Sequence, residues 1–291
     1  MMCPRKPALT RREAARATAR SAAIIRPMQA RTNPPSRAPR AYRILVAGSA
    51  LAVVAWLAGC EKAPPPTAPL ETVDVVRKRL IELRRGIESV SMTIDIVTEL
   101  GAPPSRNIIT TEGAEQSRVS ADKLLLRREM LQTTRVDRPE SSNTVQAVQG
   151  IVSDGQVTWE ISGQRGSPVF GRGGPLQAPS HDPLEPLMQK YDLSLLPSER
   201  VDGRPCWVID ARPKAGLKPT DPKLRVTRYY DRESGVLLRS IVWNTDGKPM
   251  TTTNHRDVKI NEPIPPERFA FEPPPGATVF STDVARIQPS Y

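Results

Sequence analysis

Histidine and cysteine are scarce in this chain of 291 residues, which contains two histidines and three cysteines. His181 and His255 lie far apart, and neither has an acidic or cysteine partner at a spacing typical of a catalytic pair or a metal site. A nucleophilic pair of Cys206 and His255 is conceivable, but Cys206 lies in an apolar segment, Cys206–Ile209. That setting favours a buried and inert thiol. We therefore predict no enzymatic activity, no metal site and no cofactor.

Other common signatures are also missing. The glycine-containing stretch 166–174 is neither preceded by a strand pattern nor followed by a Lys-Ser/Thr pair, so it is not a phosphate-binding loop. One long uncharged and mainly apolar run occurs, Ile44–Gly59, and it is slightly short for a membrane-spanning helix. The nearest basic residues before it are Arg31, Arg37, Arg40 and Arg43, and the polar, proline-rich segment Glu61–Pro66 follows. A basic flank, a short apolar stretch and small residues at its end indicate an export signal peptide.

The end of this run resembles the lipobox of bacterial lipoproteins. Its sequence is Leu57-Ala58-Gly59-Cys60, and the resemblance implies cleavage before Cys60 and a diacylglycerol attached to its sulfur. An ordinary signal peptide or a signal anchor with a chance cysteine is the alternative. We predict residues 1–59 as the signal peptide, with a true start possible at Met28.

The strong positive charge of the chain belongs mostly to this leader. Residues 1–59 contain eleven of the 42 Lys and Arg residues and one of the 31 acidic residues, which leaves 31 basic and 30 acidic residues in the remainder. The sequence pI of about 9.9 therefore does not indicate nucleic-acid binding by the mature chain. Once Cys3 is removed and Cys60 is lipidated, Cys206 has no intramolecular disulfide partner.

The mature chain is predicted to consist of a short tether and one domain. Residues 60–69 contain Pro64, Pro65, Pro66 and Pro69, which favour an extended spacer. Residues 70–291 are numerous enough for one domain with a sizeable core. The domain is predicted to open with an amphipathic helix, because apolar residues recur at spacings of three and four. This apolar helix stripe comprises Val73, Val76, Leu80, Leu83, Ile87 and Val90.

After the helix, the pattern changes to strands. Alternation of apolar and polar residues begins at Met92–Ile96 and is typical of a half-buried strand. Four hairpin signals separate later strand candidates: Asp154-Gly155, Asp202-Gly203, Ser234-Gly235 and Asp246-Gly247. They predict a curled antiparallel sheet of nine or ten strands. Stretch 163–180 is predicted to be a mobile loop, and residues 182–188 a short second helix capped by Asp182.

Three segments resemble the LolA/LolB-like superfamily of outer-membrane lipoprotein carriers. They are Ser153–Trp159, Tyr229–Gly235 and Phe269–Val279, the last with the sequence FAFEPPPGATV. The resemblance implies an α+β, mainly β, fold: an incomplete barrel closed by helices around an apolar cavity for acyl chains. The superfamily also includes periplasmic sensor domains similar to MucB/RseB. A lipid on Cys60 would make this chain more like the membrane-bound acceptor of the superfamily than like its soluble carrier. The residue after Cys60 is Glu61, which does not decide whether the chain is sorted to the inner or to the outer membrane.

These features predict a lipid-anchored protein that faces the periplasm of a Gram-negative-type bacterium and binds acyl chains in outer-membrane lipoprotein sorting or acceptance. The alternative is an envelope sensor or protein-interaction module on the same fold. The predicted acyl-binding residues are apolar positions on the helix stripe and on three strands, which the helix is expected to cover. They are Val73, Val76, Leu80, Leu83, Met92, Ile94, Ile96, Leu124, Leu126, Val157, Trp159 and Ile161.

Overall fold

A computed structural model describes residues 71–102, 104–120, 122–138, 140–216 and 224–282. The predicted signal peptide, Cys60, the tether at residues 60–69 and the first domain residue, Leu70, lie outside the described residues. All elements of the described part belong to one compact unit. Neither helix in that part has the length and apolarity needed to cross a bilayer.

The two α-helices lie close to their predicted positions. Helix α1 spans Val73–Arg85, and the hydroxyl of Thr72 caps it by accepting from the backbone N–H of Val75 at 3.4 Å. Helix α2 spans Glu185–Lys190. Asp182 Oδ1 accepts from the backbone N–H groups of Leu184 and Glu185 at 3.0 and 3.2 Å, so it fixes the turn before α2.

Thirteen strands in the described residues form one sheet, more than the nine or ten predicted. They are β1 Ser89–Ala102, β2 Ser105–Ser120, β3 Lys123–Arg138, β4 Ser141–Ser153, β5 Thr158–Gln164, β6 Ser167–Gly173, β7 Leu176–Gln177, β8 Tyr191–Val201, β9 Arg204–Pro213, β10 Val226–Asp231, β11 Leu237–Trp243, β12 Pro249–Ile260 and β13 Val279–Ser281. A short 3-10 helix, Pro266–Phe269, precedes β13.

The sheet is curled and open, not closed into a barrel. Its order is β13-β6-β5-β4-β3-β2-β1-β12-β11-β10-β9-β8, and β7 pairs with β3. Neighbouring strands are antiparallel, as predicted, except that β13 runs parallel to β6. The chain crosses to the far edge at β8 and returns through β9–β11 until β12 pairs with β1. The predicted fold class, a mainly β fold with a curled antiparallel sheet and two helices, is confirmed.

The four predicted hairpin signals all join successive strands. The glycines have positive φ angles, of 83° at Gly155, 81° at Gly203, 73° at Gly235 and 74° at Gly247. At the turn between β8 and β9, Asp202 also has a positive φ, of 48°, which is the backbone pattern of a type I′ hairpin turn.

The predicted mobile loop at 163–180 is wrong. Strand β5 continues to Gln164, and β6 and β7 follow within this stretch. Two isolated apolar side chains anchor it, since Phe170 and Leu176 are 4% and 2% exposed. The strand pattern is hidden because glycine stands where neighbouring side chains leave little room: a Cβ on Gly171 would lie 3.0 Å from the side chains of Phe280 and Thr282.

The last motif also differs from the expected closing strand and turn. Phe269 ends the 3-10 helix and is buried with Leu125 and Ile264. Phe271 contacts the rings of Trp159 and Phe170, with centroid distances of 6.1 and 5.8 Å. This segment therefore covers one face of the sheet by packing, and the terminal strand β13 forms only further along.

Candidate binding groove

The two faces of the sheet can be told apart from the pairing register, because side chains alternate along each strand. The inner face carries Ile94 on β1, Met130 on β3 and Trp207 on β9. Both helices pack on this face. The outer face carries the C-terminal segment that includes Phe269.

The predicted helix stripe is longer than the helix, since Ile87 and Val90 lie beyond the end of α1 and cluster with Met92, Ile94 and Met130. The part of the stripe within α1 packs against one half of the inner face only. Val76 and Leu80 are buried, and Val73 and Leu83 are partly buried against the same cluster. That cluster is formed with α2 and with β8–β11, through residues Leu184, Leu187, Tyr191, Trp207, Ile209, Ala211, Tyr230 and Leu237. The predicted cover over β1, β3 and β5 is thus wrong. Strands β8–β11 lie beneath α1, because the strands that come later in the chain form that half of the sheet.

Polar contacts fasten α1 in this position. The Arg77 guanidinium binds the Asp182 carboxylate, with Nε to Oδ2 at 2.7 Å and Nη2 to Oδ2 at 2.6 Å. This pair raises the pKa of Arg77 and links α1 to the turn before α2. At the start of the helix, the Glu71 carboxylate accepts from Trp207 Nε1 at 3.2 Å and from Arg232 at 2.8 Å. The two helices form a fixed part of the core.

The predicted residues on β1 and β3 do lie on the inner face. Met92 and Ile94 are buried, and Ile96 packs beside them. Leu124 and Leu126 are fully buried, but they form a separate cluster with Leu176 of β7. These two leucines are therefore core residues beside the groove described below.

The predicted residues of the fifth strand lie on the other face. Register pairs Ile151 with Glu160 and Ser153 with Thr158, which places Glu160 and Thr158 on the inner face and Trp159 and Ile161 on the outer face. Val157 lies in the turn before β5. Trp159 packs against Phe271 and lies beneath the Arg172 guanidinium, 5.8 Å from the ring centroid. The sequence pattern misassigned these residues because the apolar face of β5 packs against the C-terminal segment on the outer side of the sheet.

Next to the helix-covered half, the inner face forms a groove of about 380 Å³. Part of its floor is shielded by neighbouring side chains, since Ile94 and Met130 are only 2% and 8% exposed. The groove crosses β12, β1, β2, β3 and β4, and no helix covers it within the described part of the chain. This volume lies in the range of ligand pockets, roughly 300–1,000 Å³. The lining residues are Ile94, Ile96, Thr98, Ile109, Thr111, Arg128, Met130, Gln132, Gln149 and Thr253.

The floor of the groove is apolar. Ile94, Ile96 and Ile109 line it together with Met130, whose sulfur lies above Gly113 of β2. A Cβ at Gly113 would stand 2.7 Å from that sulfur and 2.0 Å from the carbonyl oxygen of Glu129. Glycine at this position is therefore required for Met130 to lie flat in the floor.

Neutral polar groups surround this floor and largely satisfy one another. Thr98 and Thr251 share a hydroxyl hydrogen bond of 3.1 Å, and Gln149 Nε2 donates to Gln132 Oε1 at 2.9 Å. Because these groups already have partners, binding an apolar chain along the floor leaves few of them to be desolvated without a hydrogen bond. The arrangement fits an amphipathic ligand.

Charged groups lie at one end of the groove, near Arg128. Arg128 donates through Nε to Glu115 Oε2 at 2.6 Å, and Glu115 is fully buried. On β12, His255 is buried and its Nδ1 lies 2.7 Å from the carbonyl oxygen of Leu237. Since a carbonyl only accepts, Nδ1 carries the proton. Burial lowers the pKa of His255, against the opposing effects of this hydrogen bond and of Glu115.

Several groove residues were not singled out by the sequence. Arg128 and Met130 continue the alternation that begins at Leu124 and Leu126, so extending the pattern would have found them. Ile109 stands next to Ile108, and two adjacent isoleucines do not show which one faces inward. Thr253 and Gln149 enter through long-range strand pairing, for which the sequence carries no local signal.

The groups considered for catalysis are not brought together. Cys206 lies on the outer face in a buried cluster with Val208 and Tyr229, opposite to His255. Burial raises the pKa of its thiol to about 11, which keeps it protonated and unreactive. His181 is exposed. In the described residues, no group of three or more His, Cys, Asp or Glu side chains is placed to hold a metal ion.

Comparison with known proteins places a family match on the later part of the chain. Residues 153–272 match the MucB/RseB N-terminal domain family. The matched segment contains two of the three motifs noted above and the start of the third. The match includes β8–β11, which lie beneath the helices. Of the residues that line the groove, it includes only Thr253.

Other similarities are more distant. An uncharacterized protein of Methanocaldococcus jannaschii is 29% identical over 99 residues, which is 34% of this chain and 26% of that protein. MucB of Pseudomonas aeruginosa, solved in complex with MucA, has 19% identity and a TM-score of 0.39 over 67% of this chain and 59% of its own. The lipoprotein LppX of Mycobacterium tuberculosis has 13% identity and a TM-score of 0.35, covering 65% and 94%. At these values the likeness does not extend to function.

Proposed function

We propose that the groove on the inner face binds an acyl chain of a lipid or lipoprotein. The observation that carries this proposal is the apolar floor of Ile94, Ile96, Ile109 and Met130 beside, and not beneath, the helices. Burying one methylene contributes about 0.8 kcal/mol, so about ten would contribute around 8 kcal/mol before the cost of ordering the chain. That gain is sufficient for micromolar binding.

We further propose that the chain belongs to the LolA/LolB-like superfamily and works in the periplasm, tethered through lipid on Cys60. The ordered leader features and the three sequence motifs support this assignment. In that setting the protein accepts or sorts outer-membrane lipoproteins. Labelling with a radioactive fatty acid should mark the wild-type chain in the membrane fraction and not the Cys60→Ser variant. Absence of label in the wild type would contradict the anchor.

A second candidate function is an envelope sensor or protein-interaction module. The match of residues 153–272 to the MucB/RseB N-terminal domain favours it, since the matched segment includes β8–β11, whose inner face the helices already fill. In this case the groove would not transfer lipid, and the protein would act through a protein partner.

The groove is tested with two adjacent residues of β1 that face opposite sides of the sheet. Ile96 lines the groove, whereas Val97 is 38% exposed. Purified chain carrying Cys60→Ser, so that its own lipid does not compete, is titrated with a dansyl-labelled fatty acid. We expect saturable binding that Ile96→Glu weakens by about tenfold or more, because a carboxylate in the floor is costly to desolvate. Val97→Glu should bind like the parent.

Thermal unfolding of both variants controls for loss of fold. If the parent shows no saturable binding, the acyl-binding proposal fails and the interaction module becomes the better account. Equal binding by Ile96→Glu and Val97→Glu would place the ligand elsewhere. A change of Leu80 to glutamate would not test the groove, because Leu80 is fully buried on the sheet-facing side of α1 and does not line the groove.

A further inference from the structure

We infer that the acyl chain lies in the groove with its methyl end near Ile94 and Met130, and that its head group leaves at the turns β1–β2 and β3–β4. This inference rests on the proposed acyl binding and adds a direction to it. The two ends of the groove differ, because packed side chains close the Arg128 end and the end at the turns is open to solvent.

The Arg128 end is closed by an ion pair and by core residues. Arg128 and the fully buried Glu115 pair across β3 and β2, with Nη2 to Oε2 at 2.5 Å, so these two charges already satisfy each other. The next row of paired residues, Val90, Ser117 and Leu126, has no exposed surface. A hydrated head group placed here would lose water without gaining a partner, which is costly.

The opposite end of the groove is open. The turns β1–β2 and β3–β4 both lie there, since Ala102 pairs with Ser105 and Arg138 with Ser141. One row of inner-face residues crosses the four strands just before these turns: Leu100, Asn107, Val136 and Asn143. This row carries no charge, and both of its asparagines are exposed. A head group at this end therefore keeps its water.

Exposure of the inner-face residues of β1 rises from one end to the other. Met92 and Ile94 are buried, Ile96 and Thr98 are half-buried, and Leu100 is 39% exposed. From Ile94 to Leu100, six residues span about 20 Å. The gain from binding is proportional to the apolar area removed from water, so the enclosed part of the floor suits the methyl end. The polar head then lies beside Leu100.

A head group that lies outside the groove is not limited in size by it. On β4, Val145 pairs with Thr134 in the row next to the open end, and it is 51% exposed. No part of the described chain covers this exit. The geometry therefore fits an acyl chain carried on a large head such as a peptide, and the groove reads the chain and not the head.

The first test places a charge at the open end. Leu100→Lys puts an ammonium group beside the expected head, and Val97→Lys puts one on the outer face of the same strand, at a position of equal exposure. Oleate and oleyl alcohol displace the dansyl-labelled fatty acid from Cys60→Ser chains with either change, below their aggregation concentrations. We expect Leu100→Lys to raise the affinity ratio of oleate to alcohol about threefold, the effect of an exposed ion pair. Val97→Lys should leave the parent ratio unchanged.

The second test varies the size of the head. An oleoylated, amidated peptide of glycine and serine should bind the parent within about threefold of oleyl alcohol, because the peptide stays outside. Loss of peptide binding overturns the inference while acyl binding stands. So does a ratio that Leu100→Lys raises no more than Val97→Lys does. If neither oleate nor oleyl alcohol binds the parent, the proposed function itself fails.

Discussion

His255 shows how a single buried side chain beside the groove ties the fold to pH. It pairs with Ile94 across β12 and β1, donates to the Leu237 carbonyl, and is shielded from solvent. Burial lowers its pKa, so His255 binds a proton more weakly in the native state than in the unfolded chain. The unfolded state then binds more protons below an ordinary histidine pKa of about 6.5, and stability rises with pH through this range.

We expect the free energy of unfolding to fall by on the order of 1 kcal/mol between about pH 7.5 and about pH 5.5 through His255. Chemical denaturation at several pH values measures this dependence. His255→Asn keeps a donor for the Leu237 carbonyl but does not titrate, and its stability should vary less with pH over this range. His181→Gln removes an exposed imidazole and serves as the matched control. A pH slope in His255→Asn equal to the parent's would show that another group is responsible.

At the scale of elements, the strands and turns were largely predictable from local pattern. Tight hairpin turns require positive φ angles, which glycine adopts readily. Sequences such as Asp202-Gly203 therefore predicted where the hairpins form. Helix α1 followed from its apolar spacing and began at a threonine cap. Strands β6, β7, β8 and β13 were not among the predicted strands. Gly171 hides the alternation in β6, Pro197 interrupts that in β8, and β7 and β13 are only two and three residues long.

The faces of individual elements were less predictable. Trp159 was expected to face the cavity, yet it packs on the outer face against Phe271. Alternation identifies two faces of a strand but does not say which one lines a site when both are covered. The C-terminal segment that covers the outer face lies more than one hundred residues later in the sequence, so no local pattern around Trp159 could have shown it.

At the scale of the whole molecule, the sheet divides into a helix-covered part and an open part. Strands β8–β11 lie beneath α1 and α2, and the groove crosses β12 and β1–β4. This division arises because β12 pairs with β1, a contact between distant parts of the chain. The sequence therefore placed the helix stripe over the wrong strands, although it found both the stripe and much of the groove floor.

The most direct test of the groove as the acyl-binding site is photo-crosslinking with a fatty acid that carries a diazirine on its chain. Mass spectrometry of the digested Cys60→Ser protein locates the adducts. Binding in the groove predicts adducts on Ile94, Ile96, Ile109 and Met130, abolished by excess unlabelled fatty acid. Adducts on Val76 or Leu80, on the sheet-facing side of α1, or on Trp159 of the outer face would contradict this location. They would place the site in the helix-covered half of the sheet or on its outer face.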